Sequence, residues 1–166
     1  IDAIGKVPNA ARIEALYLYN GDYTDLSPLA SLVNLKKLEL AENDGGIEVL
    51  DLGIFPRLEH VYVGYFPALT SIVNLDSRPD LKYFSLAYCA KLESVGESFT
   101  KTKLAGVRLN AVNRFTDLAF LEGSQVRQLE LYRCSGLIEP LGFDHGSPDY
   151  VLIHDCVNLP AKAPGK

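Results

Sequence analysis

A short apolar pattern returns along the whole chain at a nearly constant interval, and this periodicity constrains the fold more than any other feature. The pattern has the form L-x-x-L-x-L, and only Pro148 departs from it. Its last apolar position recurs in steps of 22, 23, 23, 23, 22 and 22 residues, at Leu18, Leu40, Val63, Leu86, Leu109, Leu131 and Ile153. A unit this short cannot bury its own apolar edge, so neighbouring copies must stack on one another.

The spacing inside each copy predicts a short strand. Apolar residues at every second position point inward, and the intervening residues point outward. Seven such strands in register form a parallel sheet, with neighbouring strands about 4.8 Å apart. A second apolar set follows each strand and predicts short helical or 3₁₀ turns on the opposite side. Its members are Leu26, Leu29, Leu32, Ile47, Leu50, Leu52, Leu69, Ile72, Leu92, Val95, Leu118, Leu121, Leu137 and Leu141.

The repeated block resembles the leucine-rich-repeat family over residues 13–159. The first repeat, Thr24-Asp25-Leu26-Ser27-Pro28-Leu29 and onward to Leu38, resembles the bacterial internalin subclass, and its T-D-L-x-x-L start recurs at residues 116–121. Residues 76–79 and 142–147 depart from that subclass. The resemblance implies an α/β solenoid, a horseshoe of seven repeats with its parallel sheet on the concave face and its turns on the convex face. Residues 1–12 are then a short N-terminal cap or lead-in, and residues 160–166 a C-terminal tail.

Three residues after the last strand leucine, the resemblance implies Asn or Cys pointing into the core. The positions are Gly21, Asn43, Phe66, Cys89, Val112, Cys134 and Cys156. All three cysteines of the chain therefore lie on one inward ladder, which favours structural thiols over catalytic or metal-binding ones. Their odd number argues against a disulfide framework.

The outward positions carry eight of the nine tyrosines, far more than chance would place there. Tyrosine gives large, rigid contact area and is enriched at binding surfaces, although stacked tyrosines also stabilise a sheet. Charged residues lie among the rings. Binding surfaces often have this mixture, in which a few residues carry most of the binding energy and charges guide the approach of the partner. We expect the centre of the partner over Tyr62, Tyr83, Arg108 and Tyr132. The predicted partner-binding residues are Tyr17, Tyr19, Glu39, His60, Tyr62, Tyr65, Tyr83, Tyr88, Arg108, Glu130, Tyr132, Arg133, Tyr150 and His154.

Composition and motifs argue against several classes of function. A net charge of -5 disfavours nucleic acid, whose binders carry basic surfaces. No apolar run is long enough for a membrane span. The chain has no glycine-rich phosphate loop and no metal-binding spacing of His or Cys. Its histidines are His60, His145 and His154, and the first and last lie four strands, or roughly 19 Å, apart. We therefore expect no catalysis, no cofactor and no metal.

The sequence predicts a non-catalytic module that binds a partner protein on its tyrosine-rich concave sheet. The preference for protein comes from the resemblance, since leucine-rich repeats mostly bind proteins. A carbohydrate-binding surface stays open because tyrosine rings also stack against sugars, and so does a structural spacer within a larger protein. Buried free thiols favour a cytoplasmic location, whereas the internalin resemblance implies a secreted or cell-surface protein of bacterial origin.

Overall fold

The computed structural model describes residues 1–138 and 148–159, which wind into a solenoid. Seven strands form one parallel sheet in which each strand lies beside the next one along the chain, and the chain makes about six turns between the first and the last. The strands are β1 (Ala15–Gly21), β2 (Lys37–Asn43), β4 (His60–Gly64), β6 (Tyr83–Ala87), β7 (Gly106–Asn110), β8 (Gln128–Tyr132) and β9 (Tyr150–His154). The predicted tail at 160–166, Leu141 and His145 lie outside the described residues.

The register of the large sheet follows the sequence period. Leu18 pairs with Leu40, and Leu40 pairs with Val63. The same alignment continues to the last pair, Leu131 with Ile153. Because a slip of one residue would turn every apolar side chain outward, burial fixes this register. The inward residues of β2, β4, β6, β7 and β8 are buried in one continuous core. The predicted parallel-sheet solenoid with its spacing of about 22 residues is confirmed.

The return side differs in part from the expectation of helical turns. 3₁₀ turns occur in two returns, at Ser27–Leu29 and Ala119–Leu121. In two other returns the chain is extended instead, as β3 (Val49–Asp51) and β5 (Ser71–Val73), which pair as a small parallel sheet. No α-helix occurs in residues 1–138 and 148–159. In β3, Leu50 is buried between exposed neighbours, so the apolar period there is that of a strand.

Residues 1–12 pack against the first return of the chain. They contain two 3₁₀ turns, Ile4–Lys6 and Ala10–Arg12, and Ala10 is buried. Ser31 Oγ donates a hydrogen bond to the carbonyl oxygen of Gly5 at 2.8 Å, and Asn34 Nδ2 donates to that of Ala11 at 2.7 Å. These bonds attach the N-terminal segment to the first return.

A residue with left-handed backbone lies at or just after the end of each strand of the large sheet. Seven residues adopt φ between 52° and 59°, and none is glycine: Asn20, Glu42, Tyr65, Tyr88, Ala111, Arg133 and Asp155. Each lies two positions after the last inward strand residue, where strict alternation would also point inward. The left-handed residue breaks that alternation, so the next side chain enters the core instead. This accounts for the buried ladder Asn43, Phe66, Cys89, Val112, Cys134 and Cys156.

The thiols on this ladder are free in the structure and lie against backbone carbonyls. Cys89 Sγ donates to Ala87 O at 3.5 Å, and Cys134 Sγ donates to Tyr132 O at 3.3 Å. Burial raises the pKa of both thiols to about 11. Both thiols are therefore protonated at neutral pH, as expected for packing residues.

Candidate functional site

The outward side chains of the large sheet form a surface of four ladders, which we call the outer face. The first ladder is Ala15, Lys37, His60, Tyr83, Gly106, Gln128 and Tyr150; the middle ladder is Tyr17, Glu39, Tyr62, Ser85, Arg108, Glu130 and Leu152; the third ladder is Tyr19, Ala41, Gly64, Ala87, Asn110, Tyr132 and His154. The seven left-handed residues form the fourth, at the lip of the sheet. Every residue predicted to bind a partner lies on one of these ladders.

At the first two strands, Glu39 links a tyrosine and a lysine. Tyr19 Oη donates to Glu39 Oε2 at 2.5 Å, and Lys37 Nζ lies 2.8 Å from Glu39 Oε1. The same ammonium group lies 5.0 Å from the centroid of the Tyr17 ring. Partial burial acts to raise the pKa of Glu39, but the hydrogen bonds from Lys37 and Tyr19 outweigh it and leave the pKa below its usual value. The carboxylate is therefore ionised and already paired.

In the middle of the face, glycines make room for aromatic rings. The His60 and Tyr83 rings stack with centroids 5.3 Å apart and an angle of 13°. The Tyr83 ring crosses to the next strand and lies where a Cβ on Gly106 would be. The Tyr62 ring lies along its own strand over Gly64 in the same way. Larger residues at these two glycines would displace the rings, so the glycines fix the shape of the surface.

These rings surround a depression of about 230 Å³. Its outward lining residues are Lys37, Glu39, His60, Tyr62, Tyr83, Ser85, Gly106, Arg108, Gln128 and Glu130. Burial is the main cause that lowers the pKa of His60, so the imidazole is neutral at pH 7. The depression combines neutral aromatic surface with hydrogen-bonding groups, as binding sites for specific ligands do.

The far wall of the depression is an ion pair with a buried carboxylate. Arg108 Nε and Nη2 both lie 2.6 Å from Glu130 Oε2. Gln128 Nε2 donates to Glu130 Oε1 at 2.6 Å, and Tyr132 Oη donates to Oε2 at 3.3 Å. Burial acts to raise the pKa of Glu130, but these hydrogen bonds and the Arg108 charge hold it below its usual value. Glu130 is thus an ionised anchor that orients Arg108.

A second aromatic group lies along the lip. The Tyr65 and Tyr88 rings stack with centroids 4.6 Å apart and an angle of 15°. Arg133 Nη1 donates to Tyr88 Oη at 2.9 Å, although these residues are two coils apart. The coil between them carries Ala111, whose small side chain leaves space for the arginine. The lip therefore presents a fixed pair of rings ending in a guanidinium group.

The last strand carries the remaining predicted residues. The Tyr132 and His154 rings lie 6.2 Å apart, and His154 Nδ1 lies 3.1 Å from Asp155 Oδ2. Tyr150 is exposed on the first ladder of β9.

The predicted site residues do not form a single cluster. Tyr17 and Tyr150 lie at opposite ends of the sheet, six strands apart. Of the four residues predicted at the partner's centre, Tyr62, Tyr83 and Arg108 line the depression, whereas Tyr132 supports Glu130 from the third ladder.

Sequence reasoning missed four lining residues of the depression. These are Lys37, Ser85, Gly106 and Gln128. The sequence did carry a signal for Ser85 and Gly106, because a small residue at an outward position beside a large one marks a place where a ring can lie flat.

Comparison with known proteins finds no match: neither a family model, nor a curated protein, nor a solved structure is similar to the chain. Within residues 1–138 and 148–159, no helix has the length and apolar character needed to cross a membrane. The same part of the chain contains no group of three or more His, Cys, Asp or Glu side chains placed to hold a metal ion.

Proposed function

We propose that the chain is a leucine-rich-repeat protein, with a first repeat of the bacterial internalin subclass, whose outer face binds a partner protein without catalysis. The observation that carries the proposal is the central depression, where Tyr62, Tyr83 and His60 stand beside Arg108 on one open sheet. Large aromatic rings next to an arginine are the residue types that dominate binding energy at protein interfaces.

The orientation of the rings supports a recognition role. Tyr83 stacks on His60, Tyr65 stacks on Tyr88, and Tyr62 lies over Gly64. Side chains already held in one orientation lose little conformational entropy when a partner binds, so less of the contact energy is spent on ordering them. The sheet extends over roughly 30 Å, enough for a protein-sized contact.

The described residues also support a non-catalytic role. His60 lies on the first ladder and His154 on the third, four strands apart. The buried thiol of Cys89 is protonated, with a pKa raised to about 11. Nucleophilic catalysis needs a nucleophile beside a base. The two histidines are too far apart to act together, and Cys89 is a buried, protonated thiol.

A carbohydrate ligand is the second candidate. The depression of about 230 Å³ combines a tyrosine ring with Arg108, Gln128 and Glu130, and one sugar unit could stack on the ring while its hydroxyls bond to these polar groups. A structural spacer domain is the third candidate.

The test compares capture by the wild-type domain with capture by the double variant Tyr62→Ala, Tyr83→Ala. The matched control is Val33→Ala, Val49→Ala, which truncates two exposed side chains on the return side. Circular dichroism verifies that all three proteins are folded. We expect a protein that binds the wild type and the control variant but not the tyrosine variant.

Undiminished capture by the tyrosine variant would contradict the outer face as the binding surface. If no protein is captured, a glycan array probed with the same three proteins tests the second candidate. Binding to no glycan would leave the spacer role.

A further inference from the structure

The ion pairs around the depression have their cations outermost. The side chain of Arg108 is 56% exposed, whereas that of its partner Glu130 is 7% exposed. In the second pair, the side chain of Lys37 is 43% exposed and that of Glu39 is 23% exposed. A ligand approaching the depression therefore meets ammonium and guanidinium groups before it meets carboxylates.

A third pair repeats this order at the edge of the first ladder. Lys82 is 44% exposed and its partner Glu59 is 25% exposed, with Lys82 Nζ 2.5 Å from Glu59 Oε2. Lys82 lies close enough to His60 to contribute to lowering the pKa of that imidazole. Lys37 and Arg108 thus line the depression, and Lys82 adds a third cation near His60 at its edge.

The hydrogen bonds of the carboxylates strengthen this polarity. Glu130 accepts bonds from Arg108, Gln128 and Tyr132, and Glu39 accepts from Tyr19 and Lys37. A carboxylate offers about four acceptor sites, so Glu130 has little capacity left to bind an incoming cation, and Glu39 has about half of its capacity in use.

Arg108 keeps donors for a ligand. A guanidinium group has about five N–H donors, and the contacts to Glu130 use those at Nε and Nη2. The remaining N–H groups of a half-exposed arginine can bind a second carboxylate.

We infer that the depression receives an acidic segment of the partner, with one carboxylate at Arg108, a second at Lys37 three strands or roughly 14 Å away, and an apolar side chain between them against Tyr62 and Tyr83. This inference rests on the proposed function and adds the chemistry of the partner to it. The chain carries a net charge of -5, which repels an acidic partner at long range. At physiological salt, exposed charges more than about 8 Å apart are largely screened, so the groups lining the depression determine which segment binds.

The test uses three acetylated, amidated ten-residue peptides that share the same Phe and Leu positions. All other positions are Glu in the first peptide, Gln in the second and Lys in the third. Fluorescence anisotropy measures their dissociation constants for the wild-type domain. We expect the Glu peptide to bind about tenfold more tightly than the Gln peptide, as for added charge-assisted hydrogen bonds, and the Lys peptide to bind most weakly.

Two charge-neutral variants locate the preference. The first variant is Arg108→Gln, Glu130→Gln, and the second is Lys37→Gln, Glu39→Gln. Each variant loses one positive and one negative charge, so the net charge of the chain is unchanged. Each removes both members of an ion pair, which avoids leaving an unpaired charge on the sheet. We expect each variant to reduce the preference for Glu over Gln to less than about threefold.

Several results would overturn the inference: equal binding of the three peptides, tightest binding of the Lys peptide, no binding of any of them, or a preference for Glu that both variants retain. Failure of the proposed function has a different signature, namely capture that the Tyr62→Ala, Tyr83→Ala variant does not reduce. Tyrosine-dependent capture without a preference for Glu would reject the acidic segment and leave the recognition role standing.

Discussion

Replacing Ala111 with glycine should stabilise the protein, which is unusual for a substitution that deletes a methyl group. Ala111 lies in the left-handed region at φ 53°, where an L-residue other than glycine costs roughly 1–2 kcal/mol. Glycine removes that cost but gives the unfolded chain more freedom, which costs about 0.4–1 kcal/mol. The difference is a net stabilisation of roughly 0.8 kcal/mol.

Ala87→Gly in the preceding coil is the matched control. Ala87 ends β6, is buried, and has ordinary extended backbone. Glycine there relieves no strain, costs about 0.5–1 kcal/mol in strand stability and loses a buried methyl group worth about 0.8 kcal/mol. We expect a destabilisation of roughly 1.5 kcal/mol. The two variants should therefore differ by about 2 kcal/mol and have opposite signs.

Urea denaturation followed by circular dichroism gives the free energy of unfolding for both variants and the wild type. If Ala111→Gly destabilises the protein as much as Ala87→Gly does, the left-handed turn at this position, and with it the explanation of the inward ladder, is refuted.

The ionisable groups give four further predictions. Cys89 and Cys134, with pKa values raised from 9.0 to about 11 by burial, should react with a thiol reagent at neutral pH only after unfolding. Below pH 9 both thiols are protonated in the folded and the unfolded chain, and their contribution to stability is complete. As the pH rises towards 11 the unfolded thiols ionise first, so this contribution should be lost. Urea unfolding at several pH values measures the loss in the free energy of unfolding. Tyr83→Ala should raise the pKa of His60 towards 6.5 by exposing its ring, as followed by proton NMR. Because the folded pKa of Glu130 is lowered, its carboxylate should stabilise the protein above the usual pKa of 4.5, and this stabilisation should disappear as the pH falls. The free energies of unfolding of the wild type and of the double variant Arg108→Gln, Glu130→Gln should therefore become more alike in acid.

The sequence could predict the large sheet because two periods agree along the chain. Alternation places Leu38 and Leu40 inward, and the interval of 22 or 23 residues allows one register between neighbouring strands. The return side was harder to predict, because its apolar residues fit either a turn or a strand when the segment is only three or four residues long. Leu50 and Leu52 are buried from an extended segment there, whereas Leu26 and Leu29 are buried around a 3₁₀ turn.

Most of the left-handed ladder had no local signal in the sequence. Asn20 and Asp155 favour that conformation through their short polar side chains, but Tyr65, Ala111 and Arg133 do not. Their conformation is stabilised by burial of the next residue in the core, which is an effect of the whole coil.

The candidate site could be predicted as a set of outward residues but not as a shape. Whether Tyr83 stands upright or lies flat depends on Gly106, which is 23 positions away in the sequence and adjacent in the sheet. Glu130 occupies an outward position and is nevertheless buried, because Arg108, Gln128 and Tyr132 cover it.

Photo-crosslinking tests most directly whether the outer face is the binding surface. A photoreactive phenylalanine analogue replaces Tyr83 on the outer face in one protein and Val49 on the return side in another, and each is irradiated with the captured partner. We predict that the partner crosslinks at position 83 and not at position 49. Crosslinking at position 49 alone, or equally at both positions, would contradict recognition by the outer face.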